Sequence, residues 1–165
     1  MFRFNLLAVF ALPLSLAANI NNRTAQEVID RLNLTANIER GYFIESFRDA
    51  DNATAANRSA STAIYYLLKG IEGYSRWHRV DAVEIWHYYA GAPLTLSLSR
   101  NDGSGVRDVS LGPDVFKEQS PQVVIPKWEW QQARSWGEWT LVGTTVAPGF
   151  EVDGFELAED GWAPI

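Results

Sequence analysis

Short apolar segments separated by glycine and proline turns constrain the fold of this chain more than any other feature. From Thr62 onward, such segments recur about every 8–12 residues. The segment 94–98 alternates apolar and polar side chains, as a strand with one buried face does. The predicted strands are 41–48, 63–68, 77–80, 83–89, 94–98, 106–111, 123–125, 139–146 and 150–157. This pattern predicts an all-β sandwich or barrel.

One helix is predicted ahead of most of the strands, over residues 24–34. Its apolar side chains follow a roughly helical spacing, and Thr24 with Glu27 fits a capping box. The polar, alanine-rich stretch 49–61 predicts a surface loop. Residues 18–165 are enough for one domain with a hydrophobic core, and a single domain is expected.

Residues 1–17 predict a secretory signal peptide. Arg3 precedes an apolar run over 6–16, and Ala17 and Ala18 supply the small residues at which cleavage is expected. The run is too short to span a bilayer, although a buried N-terminal helix is an alternative interpretation. We therefore expect a secreted or secretory-lumen protein with no membrane partner after cleavage.

Four N-x-S/T sequons support the secretory interpretation. They predict glycosylation at Asn22, Asn33, Asn52 and Asn57. The sequence has no cysteine, which excludes disulfides, thiolate metal sites and cysteine nucleophiles. The formal net charge of −6 argues against a nucleic-acid partner.

The segment from His78 to Gly91 carries the spacing most indicative of a functional site. Glu84 follows His78 after five residues, and Gly91 follows Glu84 after six. Positions 78, 80 and 84 have the same parity, so these side chains point into the barrel if no bulge intervenes. The spacing resembles the first motif of cupin barrels, with Val80 where the second motif histidine stands.

The segment 126–131 resembles the second cupin motif. Pro126 is kept, Trp128 stands at a glycine position, and Gln131 stands at the third histidine position.

Longer blocks resemble one cupin family, DUF985 (cupin_5), from about Ala25 to Ala158. The blocks are 41–48, 61–68, 78–80, 84–91 and 141–150. The resemblance implies a double-stranded β-helix, the cupin jelly-roll barrel, in a homodimer related to sugar epimerases of the dTDP-rhamnose pathway. Residues 36–41, Ala-Asn-Ile-Glu-Arg-Gly, replace the family's Pro-His-Pro-Glu-Gly-Gly, and Ile44 replaces an arginine. These departures indicate a specialised secreted member, in secondary metabolism.

Metal binding is considered first among the possible chemistries. A typical cupin site uses three histidines and one glutamate, whereas here the weak candidates are His78, Glu84 and Gln131, with Val80 unable to bind metal. Two good ligands rarely hold a transition metal. We therefore predict no resident metal and no cofactor, and a metal-dependent oxygenase stays as an alternative.

Acid–base chemistry needs only positioned proton carriers. His78 beside Glu84 would form a hydrogen-bonded pair able to move a proton next to a carbonyl. Tyr88 would supply an acid, and the Gln131 amide would hold a developing oxyanion. A purely structural His–Glu pair is the competing interpretation. His87 is expected to point away from the pocket by strand alternation.

Four further residues are predicted to bind the substrate. Glu45 and Arg48 lie on the first strand, where Arg48 would neutralise a carboxylate or phosphate or form a surface salt bridge. Trp86 and Trp130 would stack on the ligand or pack in the core. We predict a small-molecule enzyme catalysing metal-independent isomerisation, epimerisation or cyclisation of a secondary metabolite. The alternatives are a non-catalytic binding module for a sugar or small ligand and the oxygenase named above.

Overall fold

The computed structural model describes residues 19–51 and 58–165, and its first regular elements are helical. A 3-10 turn over Ile20–Asn22 precedes helix α1, Ala25–Leu32. The predicted capping box is confirmed, because the Thr24 hydroxyl accepts from the Glu27 amide at 3.3 Å and the Glu27 carboxylate accepts from the Thr24 amide at 2.9 Å. The predicted signal peptide and the sequons at Asn52 and Asn57 lie outside the described residues.

Within residues 19–51 and 58–165, eleven strands form two antiparallel sheets. They are β1 (Thr35–Ala36), β2 (Tyr42–Arg48), β3 (Thr62–Lys69), β4 (His78–Val80), β5 (Val83–Gly91), β6 (Leu94–Ser99), β7 (Arg107–Leu111), β8 (Gln122–Ile125), β9 (Trp130–Ser135), β10 (Trp139–Ala147) and β11 (Phe155–Leu157). One sheet has the order β1-β2-β3-β10-β5-β8 and the other β11-β4-β9-β6-β7. Further 3-10 turns span Gly70–Glu72, Val115–Lys117 and Val152–Gly154. The predicted all-β jelly roll with a short N-terminal helix is confirmed.

The core between the sheets fills one end of the barrel. Leu94, Leu96 and Leu98 of β6 are fully buried there and pack with residues from both sheets. Strands β3 and β10 pair so that Leu68 lies opposite Thr140 and Thr62 opposite Val146. Leu68 belongs to the core, whereas Thr62 and Val146 line a cavity. The opposite end of the same two strands is therefore the open end of the barrel.

A second cluster lies outside the larger sheet. Val28 and Ile29 of α1 are buried there against outward side chains of the sheet, among them Leu67, Trp139 and Leu141. Burying one face of an amphipathic helix in this way is the main source of its stability. Among the described residues, no helix has the length and apolar character needed to cross a bilayer.

The predicted strand pattern differs from the structure in three places. Strands β1, Thr35–Ala36, and β9, Trp130–Ser135, were not predicted. The predicted strand 150–157 is paired as a strand only over Phe155–Leu157. The inward side chains of β9 are Gln131, Ala133 and Ser135, so no alternation of large apolar residues marks it.

Candidate functional site

A cavity of about 470 Å³ occupies the open end of the barrel. Its size is typical of small-molecule sites. The larger apolar side chains in its wall are Phe43, Ile64, Tyr66, Trp86, Phe150 and Phe155. The carboxylate, guanidinium and imidazole side chains are Glu39, Glu45, Arg48, His78, Glu84 and Glu151. Of the predicted site residues, His78, Glu84, Trp86, Glu45 and Arg48 therefore meet at one cavity.

His78 is held in a single orientation at the base of strand β4. Its side chain is buried, and its Nδ1 lies 2.9 Å from the backbone oxygen of Arg76. Because a carbonyl oxygen only accepts, Nδ1 carries a proton. The other ring nitrogen, Nε2, lies 3.4 Å from Oε2 of Glu39. The imidazole and the Glu39 carboxyl group therefore lie within ion-pair distance of each other.

Burial sets the protonation preference of Glu39. Loss of solvent around the side chain raises the pKa of the Glu39 carboxyl, and the negative charge of Glu84 raises this pKa further. Attraction to His78 opposes both effects. The net result is a Glu39 carboxyl whose pKa lies above its ordinary value, so it holds its proton more strongly than an exposed carboxyl does.

The segment before β2 positions Glu39 through its backbone. The Arg76 amide donates to the Glu39 carbonyl oxygen at 2.9 Å, while the Arg76 carbonyl accepts from His78. The Tyr66 hydroxyl donates to the Arg40 carbonyl at 2.8 Å. Gly41 has φ of 71°, and a Cβ there would lie 2.7 Å from the Leu67 carbonyl oxygen. The segment is thus pressed against β3, and one backbone residue, Arg76, contacts both members of the pair.

Glu84 is oriented by a chain of two hydrogen bonds. The indole nitrogen of Trp86 can only donate, and it lies 3.0 Å from Oε1 of Gln131. The amide nitrogen of Gln131 then faces Glu84 and donates to its Oε2 at 2.5 Å. Gln131 is fully buried and does not line the cavity. Its predicted role as an oxyanion donor is not supported by this placement, because Glu84 and Trp86 hold its amide.

The predicted hydrogen-bonded pair of His78 and Glu84 is wrong, because each of the two side chains has a different partner in the structure. Glu84 contacts Gln131, whereas Glu39 contacts His78. Glu39 was missed because it lies outside the motif segments and far from His78 in sequence. A signal was present: in the comparison with the DUF985 motif, Glu39 stands at the glutamate of Pro-His-Pro-Glu-Gly-Gly.

Tyr88 and Trp130 do not reach the cavity. The Tyr88 hydroxyl donates to the Gly91 carbonyl at 2.6 Å, and its ring packs against the filled end of the core. Trp130 precedes the inward Gln131 on β9, so alternation turns it to the outer face. There its ring lies 4.3 Å from the Trp162 ring and 4.6 Å from the Arg79 guanidinium. The structure therefore does not support either residue as a cavity contact.

Glu45 and Arg48 meet at the cavity although their strand positions differ in parity. The pairing of β2 with β3 shifts register between Glu45 and Phe47, and this bulge restores both side chains to one face. Arg48 binds Glu45 at 2.8 Å, Glu151 at 3.1 Å and the Phe150 carbonyl at 3.2 Å. Its positive charge is thus already matched by two carboxylates.

The donor set at the cupin ligand positions does not fit a three-histidine, one-glutamate metal site. His78 and Val80 line the cavity with Glu84, as their shared parity predicts. Val80 offers no donor, and Oε1 of Gln131 accepts from Trp86 rather than facing the cavity. Among residues 19–51 and 58–165, no three His, Cys, Asp or Glu side chains are grouped as a metal site. We therefore derive no step through a metal.

Two facing antiparallel sheets, with a cavity at one end and a cupin-motif histidine and glutamate in its wall, define a cupin-type barrel. Sequence comparison specifies the family: the chain belongs to Cupin_5, described as Cupin superfamily (DUF985), whose family profile matches residues 26–158. The predicted resemblance is thereby confirmed. A search among curated proteins returns no match.

Solved structures support the same assignment. A Shewanella oneidensis protein is 31% identical with a TM-score of 0.77, over 83% of this chain and 85% of that chain. A hypothetical protein from Leishmania major is 29% identical with a TM-score of 0.74, over 81% and 86% of the two chains. Oxalate decarboxylase from Bacillus subtilis is 11% identical with a TM-score of 0.54, over 76% of this chain and 30% of that chain, and shares the fold alone.

Proposed function

We propose that this cupin is a small-molecule enzyme that catalyses isomerisation, epimerisation or cyclisation by acid–base chemistry without a resident metal. The contact between His78 Nε2 and Glu39 Oε2 in the cavity wall carries the proposal. An imidazole and a carboxyl group side by side in the wall of a cavity are suited to general acid–base catalysis. Two of the four ligand positions that metal-dependent cupins use are occupied here by Val80 and by a Gln131 amide turned away from the cavity.

In the proposed reaction, the ionised Glu39 removes a proton from a carbon next to a carbonyl group. The electron pair of the broken C–H bond forms a carbon–carbon double bond, and the carbonyl oxygen becomes an enolate oxygen. The imidazolium of His78 stabilises this negative charge. Return of the proton from Glu39 to the same face of that carbon regenerates the starting compound, with exchange of the hydrogen. Protonation of the opposite face gives the epimer, and protonation of another carbon conjugated with the enolate gives a double-bond isomer; each restores the carbonyl group. Glu84, on β5, provides a second carboxylate in the same cavity.

Deuterium incorporation tests this chemistry before the substrate is known. The protein is incubated in D2O with a panel of linear and cyclic carbonyl metabolites, and mass spectrometry detects deuterium gained at carbon. We expect incorporation with the wild-type protein. Glu39→Gln and His78→Asn should each lower the rate about 100-fold or more, the usual effect of losing a general acid or base.

His87→Asn is the matched control for His78→Asn. His87 lies on β5 but outside the cavity, with Nε2 near the Thr145 hydroxyl at 3.4 Å. This variant should keep the full rate. If Glu39→Gln and His78→Asn are folded, as judged by cooperative urea unfolding, and still exchange at the wild-type rate, the acid–base proposal is wrong.

A non-catalytic sugar or small-ligand binding cupin is the second candidate. The prevalence of ring-bearing side chains in the cavity wall favours it, because such side chains bind ligands without reacting with them. A panel compound that co-elutes with the protein and is recovered without deuterium would support binding over catalysis.

A further inference from the structure

The carboxylates of the cavity wall differ in whether a positively charged side chain lies beside them. Arg48 is bound by Glu45 and Glu151, and His78 is bound by Glu39. These contacts match every positive side chain in the cavity wall to at least one carboxylate. Glu84 is the carboxylate in this wall that forms no ion pair with any residue of the described chain. With four carboxylates against one guanidinium and one imidazole, the cavity wall has an excess of negative charge, and part of that excess lies at Glu84.

Glu84 is also the least exposed of these carboxylates. The residue is only 6% exposed, and its Oε2 accepts from Gln131 at 2.5 Å. The Glu84 side chain lines the cavity, and no described residue donates a hydrogen bond to its other oxygen, Oε1. A buried carboxylate with a neutral donor on one oxygen is incompletely compensated, and a positively charged group is its most favourable partner.

Aromatic rings line the same cavity as this carboxylate. Trp86 follows Glu84 by two residues on β5, so both side chains face the cavity. The Tyr66 ring meets the Trp86 ring edge to face at 5.8 Å, and Phe43 and Phe155 also line the cavity. The faces of such rings attract cations and their area accepts an apolar body. Both the carboxylate and the rings thus favour the same ligand chemistry.

We propose that the cavity selects a small organic cation, a protonated amine on an apolar or aromatic body, with its ammonium group at Glu84 and its body against Trp86 and Tyr66. This assignment concerns the same cavity as the proposed function and names the class of its substrate. It replaces the expectation that Arg48 binds an anionic group, because Glu45 and Glu151 already match that guanidinium. A substrate carrying carboxylate or phosphate at Glu84 would bring two negative charges together.

Three probes of matched size test the charge preference by calorimetric titration. They are 2-phenylethylammonium, 2-phenylethanol and 3-phenylpropionate, which share a ring and a two-carbon chain. We expect the wild-type protein to bind the ammonium about tenfold more tightly than the alcohol, and the carboxylate most weakly. The preference for the ammonium should fall as salt is added, although less steeply than for a surface site.

Glu84→Gln keeps the side-chain volume and should remove the preference for the ammonium over the alcohol. Glu27→Gln, on the exposed face of α1 and outside the cavity wall, is the matched control and should keep it. If Glu84→Gln does not fold, the relative affinities of the wild-type protein for the three probes test the proposal. Equal binding of the three, tighter binding of the carboxylate, or no binding of any probe overturns the proposal.

These titrations are independent of turnover. A protein that prefers the ammonium but exchanges no deuterium contradicts the acid–base function and leaves the ligand class standing. Deuterium exchange on neutral or anionic carbonyl compounds, without a preference for the ammonium, contradicts the ligand class and leaves the function standing.

Discussion

At the scale of single residues, Glu39 and Glu27 have pKa values that move in opposite directions. Burial raises the pKa of Glu39, whereas hydrogen bonds from the Thr24 backbone and hydroxyl lower the pKa of Glu27. The contribution of Glu39 to stability is therefore present at low pH and is lost as pH rises above the ordinary carboxyl pKa of 4.5 through the higher folded value. The contribution of Glu27 is present at neutral pH and is lost as pH falls below 4.5 through the lower folded value.

Glutamine substitutions at these two positions should reveal the opposite pH dependences that the two carboxyl groups give to the stability of the fold. Relative to the wild type, Glu39→Gln should gain stability as the pH is raised from about 3 to about 7.5, because it no longer buries a charge. Glu27→Gln should lose relative stability over the same interval, since it lacks the capping carboxylate. Urea unfolding at several pH values measures both. Parallel pH slopes for the two variants would contradict the assigned environments.

Trp128 adopts a backbone conformation that suits glycine. Its φ is 64°, its amide donates to the Val80 carbonyl at 2.8 Å, and its ring lies 5.3 Å from the Arg79 guanidinium. In the cupin motif a glycine stands at this position, and the left-handed φ gives the physical reason.

The pair Trp128→Gly and Trp128→Ala separates backbone strain from loss of the ring. Both variants lose the contact with Arg79, but only the glycine variant relieves the strained φ. We expect the glycine variant to be more stable by about 1 kcal/mol, the reverse of the usual order in regular structure. Thermal unfolding measures the difference, and an alanine variant of equal or greater stability would contradict it.

At the scale of elements, strand β9 shows how function and core packing can erase a strand pattern. Gln131 faces inward to bind Glu84 and Trp86, and Ser135 faces inward to bond the Thr140 hydroxyl at 2.7 Å. These contacts satisfy polar groups that would otherwise be costly to bury. The sequence of β9 therefore has polar residues at inward positions, although the side chains of Gln131 and Ser135 are both buried.

The segment after β11 packs on the outer face of the smaller sheet through one ring. Trp162 lies 4.3 Å from Trp130 and 6.3 Å from Trp77, measured between ring centroids. Trp162→Ala should lower the free energy of unfolding by about 2 kcal/mol, because it removes a half-buried ring and two aromatic contacts. Since these rings lie outside the cavity, the affinity for 2-phenylethylammonium should not change.

Trp136→Ala is the control for this element. Trp136 is 59% exposed and bonds the Thr95 hydroxyl through its indole nitrogen at 2.7 Å. Its removal should lower stability by less than the loss of Trp162 does. Equal effects of the two substitutions in chemical denaturation would show that the segment after β11 does not depend on Trp162.

At the scale of the whole molecule, the jelly roll leaves one end of the barrel open while the other is filled. The larger sheet places alternate side chains of β3, β5 and β10 inside, from the leucine-rich core to the cavity. The side chains on the outer face pack under α1 or face outward. Core residues and cavity residues thus occupy successive positions along the same strands. The packed core at the filled end supports the walls of the open end.

Secretion and glycosylation are proposals about the whole chain. Expressed in a eukaryotic secretory host, the protein should be released after cleavage following Ala17 or Ala18, with glycans at Asn22 and Asn33, both exposed. Intact-mass measurement before and after enzymatic deglycosylation checks this. A product that keeps Met1 and carries no glycan would contradict it.

The homodimer implied by the family resemblance stays a prediction, and sedimentation velocity at several concentrations measures it.

Local information in the sequence determined the elements and much of the cavity wall. Period-two alternation and turn residues predicted most strands, the capping box predicted the start of α1, and shared parity placed His78, Val80 and Glu84 in one wall. These features depend on residues close in the chain, so backbone geometry and side-chain periodicity suffice to predict them. The family match confirmed how the strands assemble.

Only the tertiary structure decided which groups meet. Glu39 reaches His78 because the segment before β2 lies against β4 through the Arg76 backbone, a contact between distant residues. The orientation of Glu84 depends on Gln131, a residue of the strand that the sequence pattern did not reveal. Pairing of distant side chains is set by sheet order, bulges and burial rather than by spacing along the chain, which is why the chemistry of the cavity emerged only with the fold.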